Sequence, residues 1–277
     1  MVQASLKKIR MYAAISAFPA AIMSTVVLAQ QEPAKWNYSA SLATMSATSY
    51  LGDDDQQLSL FPDIQVTYSD RFFASILGGI GYNLINAQGW RAGPIAQLNL
   101  GRFEDGDNPL LIAGDETEDL VGLGDIDPSI ELGGFVEYTY QRVQGNIEVR
   151  QDTGGGHEGL VVDLGLKYTG SVQIAGKSGF YSIGPELLFG DDDYISAFFD
   201  VDAQQSAASG LPEYDADAGV LSYGLHGSLY YPINQTTSLV GLVGYDRITG
   251  DAEKSSLVEQ RGSVDEFLVG VLVTYEF

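Results

Sequence analysis

The chain has 277 residues, no cysteine, 33 glycines and 16 tyrosines, and 37 acidic against 14 basic side chains give it a formal charge of -23. No disulfide framework or cysteine-ligated metal site is possible, so negative a surface repels nucleic-acid phosphates, and this much Gly, Tyr and Thr argues against a coiled coil. Mean hydropathy near zero is too polar for a bundle of membrane helices, which leaves a β-rich chain as the expectation.

Residues 1–29 read as a signal peptide. Lys7, Lys8 and Arg10 form a basic start, and Met11 to Leu28 is largely apolar and uncharged. Val27 and Ala29 set modest and small side chains just before a cut expected between Ala29 and Gln30. Pro19 and the small residues near the cut argue against a retained helical anchor. The exported domain is then 30–277, and the pattern fits a bacterial export signal.

No later segment offers about 18 consecutive apolar residues, so no spanning helix is expected. Short segments alternate with period two instead. In chain order the predicted strands are 36–45, 58–68, 72–82, 90–100, 129–140, 145–151, 160–168, 180–189, 194–202, 220–231, 238–248 and 265–277. In 160–168, Leu160, Val162, Leu164, Leu166 and Tyr168 share one face, opposite Val161, Asp163, Gly165 and Lys167. In 220–231, Leu221, Tyr223, Leu225, Leu229 and Tyr231 oppose Ser222, Gly224, His226 and Ser228. The last strand sets Phe267, Val269, Val271, Val273, Tyr275 and Phe277 against Glu266, Gly270, Thr274 and Glu276.

A soluble sandwich buries such an apolar face; a membrane barrel turns it outward to lipid. Segments of about ten residues match tilted membrane strands. Aromatic residues recur near strand ends, as interfacial girdles require: Trp36, Tyr68, Phe72, Tyr82, Trp90, Tyr138, Tyr140, Tyr168, Tyr181, Tyr194, Tyr231 and Tyr245. Phe277 with Tyr275 resembles the terminal signal read by the machinery that assembles outer-membrane barrels. The expected fold is therefore all-β, a closed antiparallel transmembrane β-barrel of twelve strands in a Gram-negative outer membrane. An open sheet edge is not viable in lipid, which forces the closure.

An even count puts both domain ends in the periplasm. Counting back from Phe277 places 249–264, 203–219, 169–179, 141–144, 83–89 and 46–57 outside, and 190–193, 232–237 and 69–71 in the periplasm. Residues 101–128 then also fall in the periplasm, too long for a turn, with nine acids against Arg102. Leu120, Val121 and Leu123 beside Asp125 and Asp127 make them a candidate partner surface for a basic protein. A plug in the barrel mouth is the alternative. A split of 72–84 at Gly78-Gly79 would move the segment outside, at the cost of an odd count unless a second strand is also missed.

Several runs resemble the MipA/OmpV family, named after the MltA-interacting protein. They are Gly122-Leu123-Gly124-Asp125-Ile126-Asp127, Glu131-Leu132-Gly133-Gly134-Phe135 and Gly155-Gly156-His157-Glu158-Gly159, then Ser209-Gly210-Leu211-Pro212-Glu213-Tyr214 and Gly244-Tyr245-Asp246-Arg247-Ile248-Thr249-Gly250-Asp251-Ala252. The resemblance covers nearly all of the exported chain. It implies an outer-membrane barrel and, for particular members, a scaffold between a lytic transglycosylase and a murein synthase. Other members are linked to adhesion and to osmotic or antibiotic response.

Candidate chemistry is sparse. His226 and Ser228 lie two apart on one strand face, the spacing of a base and its nucleophile. Outer-membrane phospholipase A uses a similar His-x-Ser arrangement facing lipid. Here the apolar residues take the lipid face, so His226 is expected in the lumen, with no Asn or Asp on its strand face to orient it. His157-Glu158 follows three glycines and lacks a third ligand for a metal, so a tight turn is expected. Asp53 to Asp55 and Asp191 to Asp193 read as solvated turn residues; the first run, if outward, could meet lipopolysaccharide through divalent ions. The expected lumen residues include Asp63, Arg91, Glu131, Glu137, Glu148, Arg150, Asp163, Lys167, Glu186, Asp200 and Glu266. No phosphate-cradling loop or other cofactor motif is present.

The reading these observations support is a non-enzymatic outer-membrane scaffold. Its expected partners are outer-membrane lipid and lipopolysaccharide, the barrel assembly machinery, a lytic transglycosylase and a murein synthase, with no nucleic acid and no cofactor. A small passive pore, cation-preferring from its lumen acids, a surface adhesion protein and an outer-membrane lipase are the alternatives.

Overall fold

The computed structural model describes residues 35–106, 110–114 and 116–277. The expected signal segment, with its cut between Ala29 and Gln30, lies outside them. Alternating sequence becomes strand along most of the chain. The elements are β1 (Trp36–Thr48), β2 (Gln56–Tyr68), β3 (Phe72–Ser75), β4 (Gly79–Tyr82), β5 (Ile85–Ala87), β6 (Trp90–Asn99), β7 (Leu111–Ala113), β8 (Ser129–Tyr140), β9 (Val143–Asp152), β10 (Leu160–Ile174) and β11 (Lys177–Gly190). Helices α1 (Asp192–Phe199) and α2 (Ala203–Ser209) follow, then β12 (Gly219–Pro232), β13 (Thr237–Ile248), α3 (Ser256–Arg261) and β14 (Asp265–Glu276).

Pairing runs β1-β14-β13-β12-β11-β10-β9-β8-β6-β4-β3-β2, and β2 returns to β1, so twelve antiparallel strands close into a barrel. β5 adds to the wall beside β6, and β7 pairs with β2. Closure satisfies the backbone groups that an edge would leave bare in lipid. Among the described residues no helix is long and apolar enough to cross a membrane.

The alternation predicts the faces well. On β10, Leu164, Leu166 and Tyr168 are 39%, 50% and 42% exposed, whereas Val161 is buried. On β14, Phe267, Val269, Val271, Val273 and Tyr275 point outward while Thr274 is buried. Leu221 is the exception: it is buried although it shares parity with exposed Tyr223 and Leu225. The register between β11 and β12 shifts at Leu188/Phe189, and such a bulge turns the extra residue to the other face.

Two expected strands are corrected. Residues 194–202 are not a strand; α1 occupies most of that range. Asp191 caps the helix by accepting from the Tyr194 N–H, and Asp192 and Asp193 lie in its first turn, where acids favour the helix dipole. Tyr194, Ile195, Phe198 and Phe199 then form a helical stripe that is buried whole. Tyr194 is therefore absent from the membrane girdle, and Asp200 caps the end of α1 rather than lining the lumen. The second correction is 72–82, which breaks into the β3–β4 hairpin around Ile76-Leu77-Gly78, with Gly79 at φ +73°.

One strand lost and one gained keep the count at twelve, yet every connection between the two changes ends. Residues 101–128 lie at the end opposite the chain termini, and 190–193 join them there. The connections 83–89, 141–144 and 169–179 move to the terminus end. The result is a plain asymmetry. The terminus end has tight turns, such as Ala175-Gly176 between β10 and β11. The opposite end carries all the long loops and the three α-helices.

Candidate functional site

The polar faces of β6 and β8 to β14 meet in the lumen as a chain of charges. Arg150 is its hub. Its guanidinium lies 2.7 Å from Glu131 and 2.8 Å from Asp163, and also pairs with Glu148. Glu131 in turn accepts from Asn99 at 2.8 Å and sits 2.9 Å from His157 Nε2. Lower in the barrel Arg91 meets Glu137 at 3.1 Å. Lys167 lies 3.2 Å from Glu186, which is 3.7 Å from His226.

His226 faces the lumen, as its strand face requires. Its Nε2 lies 2.9 Å from Asp246, the orienting carboxylate that strand alternation alone did not reveal. Asp246 sits on β13, opposite Gly224, and is therefore a diagonal neighbour. Ser228 shares a hydrogen bond with Ser182 at 2.8 Å, and none joins it to His226. A His–Asp pair is thus present without a nucleophile engaged on it.

His157 is buried and has both ring nitrogens engaged: Nε2 faces Glu131, and Nδ1 accepts from the Gly159 N–H at 3.1 Å. The loop around it winds on Asp152, whose carboxylate accepts from the N–H groups of Gly154, Gly156 and Glu158. Glu158 takes φ +57° in this turn. The His157 ring also lies 4.7 Å from that of Tyr194, so it joins the lumen network to the structure above.

That structure is a cap built from the long loops. One apolar cluster joins α1 to the upper wall through Tyr194, Ile195, Phe198, Phe199, Leu221, Ile248 and Val258. A second gathers Tyr50, Leu120, Leu123, Val201, Leu211 and Leu257. The expected partner surface is therefore divided. Leu120 and Leu123 are buried in the cap and offer no anchor, while Val121, Asp125 and Asp127 remain at its surface. The described part of this segment packs into the cap at the loop end through Leu120, Leu123 and Ile126.

Two arginines of the cap act on helix ends. Arg102 Nη1 donates to the Phe198 carbonyl at the end of α1. Arg261 donates to the Ser209 carbonyl at the end of α2 and to the Asp119 carbonyl at 2.6 Å. Terminal helix carbonyls carry the negative end of the dipole, so both contacts are favourable. Arg102 is buried with Nε unpartnered, and burial lowers its pKa to about 10.

Asp53 is fully buried, accepts from Ser49 and Asp55, and forms an acidic group with exposed Asp54 and Asp55. Burial raises its pKa, as it does those of Asp119 and Asp200. Each therefore holds its proton more tightly in the closed cap than in an unfolded loop. Their contribution is full below about pH 3.9, the unfolded carboxyl value, and is lost as pH rises through the folded values. Mild acidification is expected to tighten the cap. A spin label on Glu213→Cys, the only thiol in the variant, should lose mobility as pH falls through the raised values of these carboxyls; unchanged or greater mobility would refute the assignment.

The sequence pattern of the family described as MltA-interacting protein MipA matches residues 40–277. No curated protein matches the chain in sequence. Among solved structures, Neisserial surface protein A is similar at 8% identity, covering 89% of this chain and 100% of its own, with a TM-score of 0.28. CdiB from Acinetobacter baumannii gives 10% identity, 88% and 60% coverage and a TM-score of 0.36. The CymD monoaromatic hydrocarbon channel gives 9%, 87%, 88% and 0.39.

Proposed function

This chain belongs to the MipA family, and from that premise we propose that it is a non-enzymatic outer-membrane barrel that docks periplasmic murein hydrolases and synthases. The observation that carries the reading is the family match, whose description is of a protein interacting with MltA and which spans 40–277. The closed cap supports it, because packed loops over one mouth suit a scaffold better than an open pore. The separation of Ser228 from His226 supports the absence of catalysis. Export through residues 1–29, and recognition of Tyr275 and Phe277 by the assembly machinery, belong to the same proposal. Phe277 is 80% exposed and its N–H donates to the Tyr38 carbonyl at 3.0 Å.

Outer-membrane barrels keep short turns in the periplasm and long loops outside. The docking surface accordingly belongs to the terminus end, around 69–71, 83–89, 141–142 and 233–236, and not to 101–128. Immobilised barrel is expected to retain a purified lytic transglycosylase. Inserting a bulky tag between Gln141 and Arg142 should abolish retention, and shortening 101–128 should not. The reverse pattern, or no retention by the intact barrel, would overturn the proposal.

A further inference from the structure

We propose that the terminus-end rim is a binding site for anionic phospholipid headgroups of the leaflet on that side. The rim carries four exposed cations: Lys35 just before β1, Arg71 and Arg142 in the β2–β3 and β8–β9 turns, and Lys177 at the start of β11. None of them makes an ion pair among the described residues. This is unusual in a chain of formal charge -23. The acidic runs at 53–55 and 191–193 and the acids described in 101–106 and 116–128 lie at the other end; exposed Asp70 and Glu276 share the rim, where the four cations outnumber them.

The position of the cations selects the ligand. Arg142 Nη1 donates to the Tyr168 hydroxyl at 3.3 Å. The Lys177 ammonium lies 5.9 Å from the Tyr231 ring centroid and donates to the Ile233 carbonyl. Both tyrosines belong to the outward rows of their strands, in the aromatic girdle that marks the interface. The heads of Arg142 and Lys177 are thus held at the outer perimeter, at headgroup depth. Phosphate oxygens would receive the guanidinium and ammonium donors.

The chain supplies its own reporter. Its two tryptophans, Trp36 and Trp90, are 53% and 46% exposed and sit in the same girdle. The protein is refolded into vesicles of phosphatidylcholine mixed with brominated phosphatidylglycerol, or with brominated phosphatidylcholine, and contact quenching is compared. At low salt the brominated phosphatidylglycerol should show a relative binding constant of about five or more, falling toward one at 1 M NaCl. Changing Lys35, Arg71, Arg142 and Lys177 together to Gln should bring it to one at any salt. Equal quenching by the two lipids at low salt, or a preference insensitive to salt, overturns the proposal on the unaltered protein alone. A preference that persists in the folded variant overturns the assignment to these residues. Neither result depends on whether the barrel docks a murein enzyme.

Discussion

Arg150→Met is expected to destabilise the barrel by about 3–5 kcal/mol, the cost of leaving buried charge uncompensated. Among the described residues, Arg150 is the guanidinium that contacts Glu131, Glu148 and Asp163 together. Glu131 is the most enclosed of the three, at 4% side-chain exposure, and contributes most; Asp163, at 27%, is partly screened. Methionine keeps the length of the stem and removes all the donors, so the effect reports charge more than volume. Urea unfolding followed by Trp36 and Trp90 fluorescence measures it. Adding Glu131→Gln to Arg150→Met should recover part of the loss, because one fewer carboxylate is then unpaired. A single variant with an unchanged midpoint would show that water reaches the lumen charges freely.

Phe199→Ala is expected to open the cap while leaving the barrel folded. Phe199 is fully buried in the cluster that ties α1 to the upper wall. Truncating a buried Phe costs about 3–5 kcal/mol. That exceeds what short helices of eight and seven residues hold on their own. The strand ladder does not pass through the cap, so the loss is local. Protease should cut 191–218 in a variant that still runs as the compact, heat-modifiable form, and conductance in a planar bilayer should rise. Loss of the compact form without a loop-cut intermediate would mean that cap and barrel unfold as one unit.

Much of this architecture was legible in the sequence, for reasons visible in particular residues. The rows of β10 and β14 alternate so regularly that register and membrane face follow from period two alone. Lumen charges such as Glu131, Arg150, Lys167 and Glu186 were placed by that rule. The range 194–202 is ambiguous in sequence because a short apolar run fits both periods. Asp191 at the cap position, with Tyr194, Ile195, Phe198 and Phe199 behind it, was the signal that could have decided it. The break in 72–82 was visible as Gly78-Gly79, though nothing local required both corrections to fall together. Asp246 could not be paired with His226 without knowing how β12 and β13 slide past each other. The cap was beyond reach because its clusters join residues from four loops far apart in sequence.

The closing seam has a consequence for how the molecule comes into being. β1 pairs with β14 from Ser39↔Glu276 to Ser46↔Val269, so the first and last strands of the wall are each other's partners. Until β14 arrives, β1 has one bare edge, and the growing sheet offers a second at its advancing side. Those two edges are complementary in register and in side-chain row. A half-made wall is therefore a template for itself: at high local concentration, β14 of one copy fits β1 of another as well as its own. Cellular handling of this chain must keep nascent copies apart until each has met its own end, and a slowed last strand should yield interlocked pairs rather than monomers with a gap.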